Sequence, residues 1–170
     1  MTGPMVVGVD GTADSLAALS TAAELAVESG ASLVVVHVRH ESGVVAADSA
    51  LAGAGPPLED ALDEIERMSR ERAADVLAGR RVPWHFEVAL GDPATELIAA
   101  ARHHDAGTIV VGGRTHGVVG GLVLGSVAQR LVRHSPVSVL VVRDGQAHRL
   151  DSPGPVSGAP ANRTGESSSQ

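Results

Sequence analysis

A glycine-rich stretch is the first candidate for chemistry in this 170-residue chain. Residues 110–126 read VVGGRTHGVVGGLVLGS, six glycines in seventeen residues, between an apolar run and a helical pattern. Glycine weakens regular structure unless the chain needs a positive φ or a close backbone approach. Gly125 and Ser126 open the helix, and the free amides of a first helical turn bind anions. The stretch indicates either a backbone cradle for phosphates or a wide turn that permits close helix–sheet packing.

Charged side chains near this stretch also indicate a ligand site. Arg114 and His116 can supply positive charge, and arginine can bind phosphate through two hydrogen bonds. Asp10, in VGVDGT, ends the first apolar run and is either a ligand-facing carboxylate or a helix-start residue. Ligands of open parallel sheets bind beyond the carboxyl ends of the strands, where the strand order reverses. We therefore expect Asp10 and the glycine-rich stretch to face one crevice.

Other residues predict less chemistry. His37 lies inside an apolar run, which favours a core histidine bonded to a backbone carbonyl. His103 and His104 close a helix, where a cation suits the helix dipole. The sequence has no H-E-x-x-H, G-x-S-x-G or P-loop pattern and no acid–base pair, so we predict neither a metal site nor catalytic residues.

Short apolar runs alternate with segments of helical period along the chain. Near-continuous valine and leucine runs are typical of strands buried on both faces of a parallel sheet. This alternation predicts an α/β fold with right-handed crossovers. The predicted strands are 5–10, 31–38, 85–90, 108–113 and 137–142. The predicted helices are 13–29, 57–79, 93–104 and 126–134.

The helix ends and helix faces carry their own signals. Asp92 is predicted to cap the third helix, with Pro93 at its first position. Ser126 is predicted to cap the fourth helix, and Pro136 to stop it. The second helix has one predicted apolar stripe, interrupted by Arg72, whose other members are Leu58, Leu62, Ile65 and Val76.

Composition excludes several classes of protein. The chain has no cysteine, which excludes a disulfide framework and cysteine-ligated metal and fits a cytoplasmic protein. Its net charge of −7 argues against a broad nucleic-acid binder. We find no signal peptide and no run of about 20 apolar residues, so no membrane association is expected. The predicted organisation is one domain over residues 1–144, with a long loop at 41–57, and a disordered Ser/Pro/Gly-rich tail over 145–170.

Four segments together resemble the universal stress protein family. They are VGVDGT, VVVHV, GDPATELIAAA and IVVGGRTHGVVGGLVLGSVAQRLVRHSPVSVLVVR, within roughly residues 5–143. The resemblance implies a doubly wound, five-stranded parallel sheet of order 3-2-1-4-5, Rossmann-like and similar to adenine nucleotide alpha hydrolases.

The resemblance also implies an ATP site, with or without Mg²⁺. Some family members bind ATP through a glycine, two residues, a second glycine, nine residues, and a glycine followed by Ser or Thr. Gly112, Gly125 and Ser126 match this pattern and would hold ribose and phosphates, whereas Thr115 stands at the second glycine. A β-branched residue there disfavours a positive φ. Asp10 and Val38 would line the adenine and ribose end, Val38 through its backbone.

Three functions follow as alternatives. The first is a dimeric ATP-binding stress or regulatory module with little or no hydrolysis. The second is a dimeric interaction protein of the same family that binds no nucleotide, for which Thr115 is the chief support. The third, an adenylyl-transferring enzyme, needs motifs and a substrate domain for which the chain has no room. Family members commonly dimerise through the final strand, here 137–142, and an unprotected apolar edge invites such pairing.

Overall fold

The structure is a computed structural model that describes residues 3–40, 58–113 and 124–143. Strands and helices alternate through these residues, as the sequence predicts. The strands are β1 (Met5–Gly8), β2 (Leu33–Arg39), β3 (Trp84–Leu90), β4 (Thr108–Gly112) and β5 (Ser138–Val142). The helices are α1 (Ala13–Ser29), α2 (Leu58–Leu77), α3 (Pro93–His103) and α4 (Ser126–His134).

All five strands form one parallel sheet of order β3-β2-β1-β4-β5, which confirms the predicted fold class and strand order. Met5 on the central strand lies opposite Leu33 on one side and Thr108 on the other. The order reverses between β1 and β4, because the chain moves outward to β2 and β3 before it returns to β4. The β1–β4 boundary is therefore the place where a crevice is expected.

The core has two layers, one on each face of the sheet. Successive side chains of a strand point to opposite faces, so each central strand contributes to both layers. One layer is completed by α1 and α2 and the other by α3 and α4. Six almost fully buried side chains from β1, β2 and β4 divide evenly between the layers: Val7, Val35 and Val110, then Val6, Val34 and Ile109.

The predicted stripe of α2 is only partly right: Val76 packs against the core and Leu62 is half-buried, but neither lies in the most buried row of the helix. The helix buries Ser69, Ala73 and Leu77, which are four residues apart, whereas Ile65 is 43% exposed. Small side chains allow the C-terminal half of the helix to approach α1 closely. Arg72 lies beside this buried row and reaches the loop after β1, as described below.

Several predictions lie outside the described residues. They are the long loop at 41–57, the tail at 145–170, and the side chains of Arg114, Thr115 and His116. Within the described part of the chain, no helix is both long and apolar enough to cross a membrane.

Candidate functional site

A cavity of about 420 Å³ opens at the carboxyl ends of β1 and β4, where the strand order reverses. Its volume falls in the range of about 300–1,000 Å³ that is typical of small-molecule sites. Five of the six residues predicted for the nucleotide site line it, and Thr115 lies outside the described residues. The five are Asp10, Val38, Gly112, Gly125 and Ser126.

Asp10 both lines the cavity and orders the start of α1. Its Oδ1 accepts hydrogen bonds from the Thr12 amide at 3.0 Å and from the Thr12 hydroxyl at 2.5 Å. Thr12 in turn caps α1, because its hydroxyl accepts from the Ser15 amide at 3.4 Å. The two alternatives for Asp10, a ligand-facing carboxylate and a helix-start residue, are therefore compatible.

The turn after Asp10 is held from the side by α2. Gly11 has a φ of 77°, a left-handed conformation that favours glycine. The Arg72 guanidinium donates a 2.7 Å hydrogen bond to the Gly11 carbonyl. Arg72, the charged interruption of the predicted stripe, thus fixes the backbone that carries Asp10.

The end of β2 presents backbone groups to the cavity. β1 pairs with β2 only as far as Gly8 opposite Val36, and the Val9 amide donates the last bond to the Val36 carbonyl. Alternate residues of a strand direct their N–H and C=O groups to the same side. Val38 therefore directs its backbone donor and acceptor toward the space beyond the end of β1, which is the cavity.

His37 is a buried structural residue, as predicted. It is 4% exposed, and its Nδ1 lies 3.0 Å from the Val9 carbonyl. A carbonyl only accepts, so Nδ1 carries the proton of this hydrogen bond. The bond ties β2 to the exit of β1, just before Asp10.

Gly112 is required by packing. A Cβ at this position would lie 2.6 Å from the carbonyl carbon of Asp14 and 2.7 Å from its oxygen. The first turn of α1 thus crosses directly over the end of β4. At this glycine the structure favours the close helix–sheet packing that the sequence left as an alternative to a phosphate cradle.

The start of α4 is different, and the predicted cap at Ser126 is wrong. Gly125 is the N-cap residue, with φ −59° and ψ 157°, and no side chain caps the helix. The first helical bond runs from the Gln129 amide to the Gly125 carbonyl at 2.9 Å. The cap lies one residue earlier than predicted because Gly125, not Ser126, has the extended backbone that precedes a helix.

The first amides of α4 are consequently available to a ligand. Ser126, Val127 and Ala128 come before the first helical donor, so their N–H groups have no acceptor within the helix. All three residues line the cavity. The positive end of the helix dipole lies there as well, and α4 has no acidic residue in its first turn.

The start of α3, a third helix start at this end of the sheet, is capped as predicted. Asp92 Oδ1 accepts from the Thr95 amide at 3.0 Å and from the Thr95 hydroxyl at 2.8 Å, and Pro93 is the first helical residue. The other carboxylate oxygen pairs with Arg130 of α4. The Thr95 hydroxyl and amide, and then Arg130, hold the pKa of Asp92 below its ordinary value.

Arg39 was not singled out in the sequence, although it directly follows Val38 and lines the cavity. Three carboxylates of α2 surround its guanidinium: Asp63 at 2.8 Å, Glu59 at 3.2 Å and Glu66 at 3.5 Å. The charge of Arg39 is thus balanced by its neighbours. Within the described residues, the anion-binding capacity of the cavity resides chiefly in backbone amides.

The described lining shows no arrangement typical of nucleophilic catalysis. The Ser15 hydroxyl donates to the Thr12 carbonyl at 3.0 Å, and His37 contacts a carbonyl. In the described ranges, no serine of the cavity is hydrogen bonded to a histidine. The geometry therefore favours a binding site, in which amides at the start of α4 face an anion and the backbone groups of Val38 face another polar part of the ligand.

Comparisons with known proteins agree with this fold. The model of the universal stress protein family matches residues 1–143. Universal stress protein YxiE of Bacillus subtilis is 33% identical over 146 residues, 82% of this chain and 97% of that protein.

Solved structures give the same result. A universal stress protein from Archaeoglobus fulgidus in complex with dAMP aligns with a TM-score of 0.60 at 21% identity, over 82% of this chain and 97% of its own. A universal stress protein in complex with cAMP aligns with a TM-score of 0.57 at 24% identity, over 85% and 100% of the two chains. The sequence motifs, the strand order and the match over nearly the whole described fold lead to one conclusion: this chain belongs to the universal stress protein family.

Proposed function

We propose that the protein binds ATP or a related adenine nucleotide at the cavity and acts as a regulatory stress-response module. One observation carries this proposal: the start of α4 is uncapped and opens on a cavity of about 420 Å³ at the switch point of the sheet. Buried or ligand-facing amides need acceptors, and the oxygens of a phosphate chain supply them. The nucleotide complexes of two universal stress proteins, one with dAMP and one with cAMP, support the choice of an adenine nucleotide.

The two ends of the nucleotide would meet different parts of the cavity. The adenine edge offers one donor and one acceptor, which suit the backbone groups of Val38, and Asp10, which lines the same cavity, would serve the ribose end. Gly112, another lining residue, would lie against the ribose and phosphates. Gly125 and Ser126 would receive the phosphates, and Thr115 completes the proposed set from the family pattern.

Regulation without turnover is the proposed mode of action. The described cavity contains no hydrogen-bonded serine–histidine pair, and the shift in conformation or partner affinity on binding would be the output. The proposal includes a cytoplasmic location, which the absence of cysteine fits.

We also propose a homodimer formed through β5. This strand pairs only with β4 among the described strands, so none of the described strands pairs with its second edge. Four of its five residues, Val139–Val142, are only partly buried in the single chain. A second copy of the strand would satisfy the backbone groups of this edge and cover the apolar side chains.

Nucleotide retention and thermal stability test the binding proposal. Nucleotide released from heat-denatured purified protein should chromatograph as an adenine nucleotide. ATP at about 100 times its dissociation constant, with and without Mg²⁺, should stabilise the fold by about 2.7 kcal/mol. The proposal fails if millimolar ATP shifts the unfolding midpoint of neither the wild type nor the Thr115→Gly variant.

The second candidate is a dimeric interaction protein that binds no nucleotide. It is favoured by Thr115, which replaces a glycine of the ATP-binding pattern, because a Cβ at that position of the pattern would crowd a phosphate. A thermal shift that appears with ATP only in Thr115→Gly would select this candidate. It would also identify the threonine as the cause of the lost affinity.

A further inference from the structure

Two histidines and a glutamate meet at the opposite end of the sheet from the cavity. His85 and Glu87 lie two residues apart on β3, so they share one face of this edge strand. Their neighbours in register, Val34 and Val36, belong to the layer covered by α3 and α4. His104 follows α3 and leads back toward the start of β4.

The three side chains converge on a single point. The Nε2 atoms of His85 and His104 each lie 2.8 Å from Glu87 Oε1. All three potential ligand atoms fall within 4.8 Å of one another. The two imidazole rings are 5.3 Å apart between centroids. Sequence spacing did not reveal this cluster, because sixteen residues, among them the whole of α3, separate Glu87 from His104.

A hydrogen-bonded ion pair does not fully account for the arrangement. Nε2 of both His85 and His104 contacts the same oxygen of Glu87, and the His104 nitrogen is buried. Helix dipole compensation alone, the role predicted for His104, would not require a carboxylate and a second imidazole at the same nitrogen.

We propose that His85, Glu87 and His104 form a binding site for Zn²⁺. Two imidazole nitrogens and one carboxylate oxygen are a known three-ligand set for zinc, with a fourth position left to water. Bond lengths of 2.0–2.2 Å place tetrahedral ligand atoms about 3.3 Å apart, which lies within the spread of separations in this cluster. Small side-chain rotations would therefore suffice to admit the ion.

Access and ligand chemistry support zinc over other abundant cations. The side chain of His85 is 52% exposed and that of Glu87 36%, so an ion can reach the cluster, whereas His104 at 20% provides a more rigid inner ligand. Imidazole nitrogen suits zinc and other late transition metals, while Mg²⁺ prefers oxygen ligands in octahedral geometry. A bound ion would join the edge strand β3 to the end of α3.

Isothermal titration of metal-free, untagged full-length protein with ZnCl₂ tests the proposal. We expect one Zn²⁺ per chain with micromolar or tighter affinity and no comparable binding of MgCl₂. His104→Gln and His85→Gln should each weaken zinc binding at least about tenfold. His103→Gln, which removes the neighbouring histidine outside the cluster, is the matched control and should bind as the wild type does.

The outcomes separate a metal site from a surface ion pair. Absence of zinc binding in the wild type, or equal losses in His104→Gln and His103→Gln, would overturn the proposal. Circular dichroism and the unfolding midpoint without metal check that each variant folds. If His104→Gln does not fold, Glu87→Gln and His85→Gln carry the same test. A substitution in the proposed nucleotide site, Gly125→Val, should retain zinc binding, so the zinc result is independent of nucleotide binding.

Discussion

The starts of α1 and α4 face the same cavity but differ in capping and in charge. At α1, the Thr12 hydroxyl caps the helix, Asp10 holds Thr12, and Asp14 adds a negative charge to the first turn. At α4, Gly125 provides no cap and no acidic residue follows in the first turn. The first helix start supplies an acceptor for the Ser15 amide and carries negative charge, which repels anions, whereas the second offers its amides to a ligand. This contrast identifies the wall of the crevice that a phosphate chain would meet.

The start of α3 belongs with that of α1. Asp92 accepts from both the amide and the hydroxyl of Thr95 and pairs with Arg130. The starts of α1 and α3 are therefore occupied by their own side chains, whereas the start of α4 is not. Four substitutions test this difference between the helix starts.

The largest expected effect is on ligand binding at α4. Gly125→Val should weaken ATP binding by about 100-fold or more, because a branched side chain at the cap obstructs amides whose bonds to a charged group are worth about 1.5–3 kcal/mol each. The fold should persist, since φ −59° suits any residue. Isothermal titration measures the loss. Gly107→Val, at an exposed glycine with open space around it, is the control. Unchanged ATP affinity in Gly125→Val would show that the phosphates lie elsewhere.

The second largest expected effect is on the stability of the fold, at Gly112. Gly112→Ala should lower the free energy of unfolding by about 1–3 kcal/mol, because its methyl group would collide with the backbone of Asp14 at 2.6 Å. Urea denaturation measures the change. A variant with normal stability but lost ATP binding would reassign Gly112 from packing to ligand contact.

Removal of the α1 cap should cost less. Thr12→Ala should reduce stability by about 1 kcal/mol, because the Ser15 amide loses its acceptor and the Asp10 carboxylate loses a hydroxyl donor. Thr12→Ser retains the hydroxyl and should be near wild type in urea denaturation. If Thr12→Ala weakens ATP binding as much as Gly125→Val does, the two helix starts do not differ in the way described.

The smallest effect is the pH dependence at α3. The pKa of Asp92 is lowered in the folded protein, so its charge stabilises the fold above the ordinary aspartate value near 3.9 and this contribution disappears as the pH falls through the folded pKa. The Asp92 side chain is 37% exposed and its charge is screened by solvent, so we expect a contribution of under about 1 kcal/mol. Asp92→Asn keeps a capping oxygen without the charge. Between neutral pH and pH 3 its unfolding free energy should fall less than that of the wild type; equal falls would contradict the assignment.

Local sequence signals were enough for most of the fold. Valine runs marked the strands, and Asp92 followed by Pro93 marked the start of α3, because these signals depend on neighbours in sequence. The strand order came from the family resemblance, since periodicity alone does not say which strands are adjacent. The cap of α4 was misplaced by one residue because serine is the stronger capping residue, yet the backbone becomes extended at Gly125.

The features that the sequence did not predict depend on contacts between residues that are distant in sequence. The stripe assigned to α2 followed large apolar side chains, but the small residues Ser69 and Ala73 are among those that the helix buries most completely, because small side chains let elements pack closely. Arg39 gained its importance only when α2 brought three carboxylates to it. The His85–Glu87–His104 cluster likewise exists only because α3 returns its end to the edge strand.

The close approach at Gly112 also has a mechanical consequence. No side chain separates the first turn of α1 from the end of β4, so the helix cannot move closer to the strand when a ligand binds. Any adjustment must come from the opposing wall, where α4 leads directly into β5. We therefore expect ligand binding in the crevice to displace the outer strand, β5, before other strands. The second copy of the proposed dimer would pack against this strand.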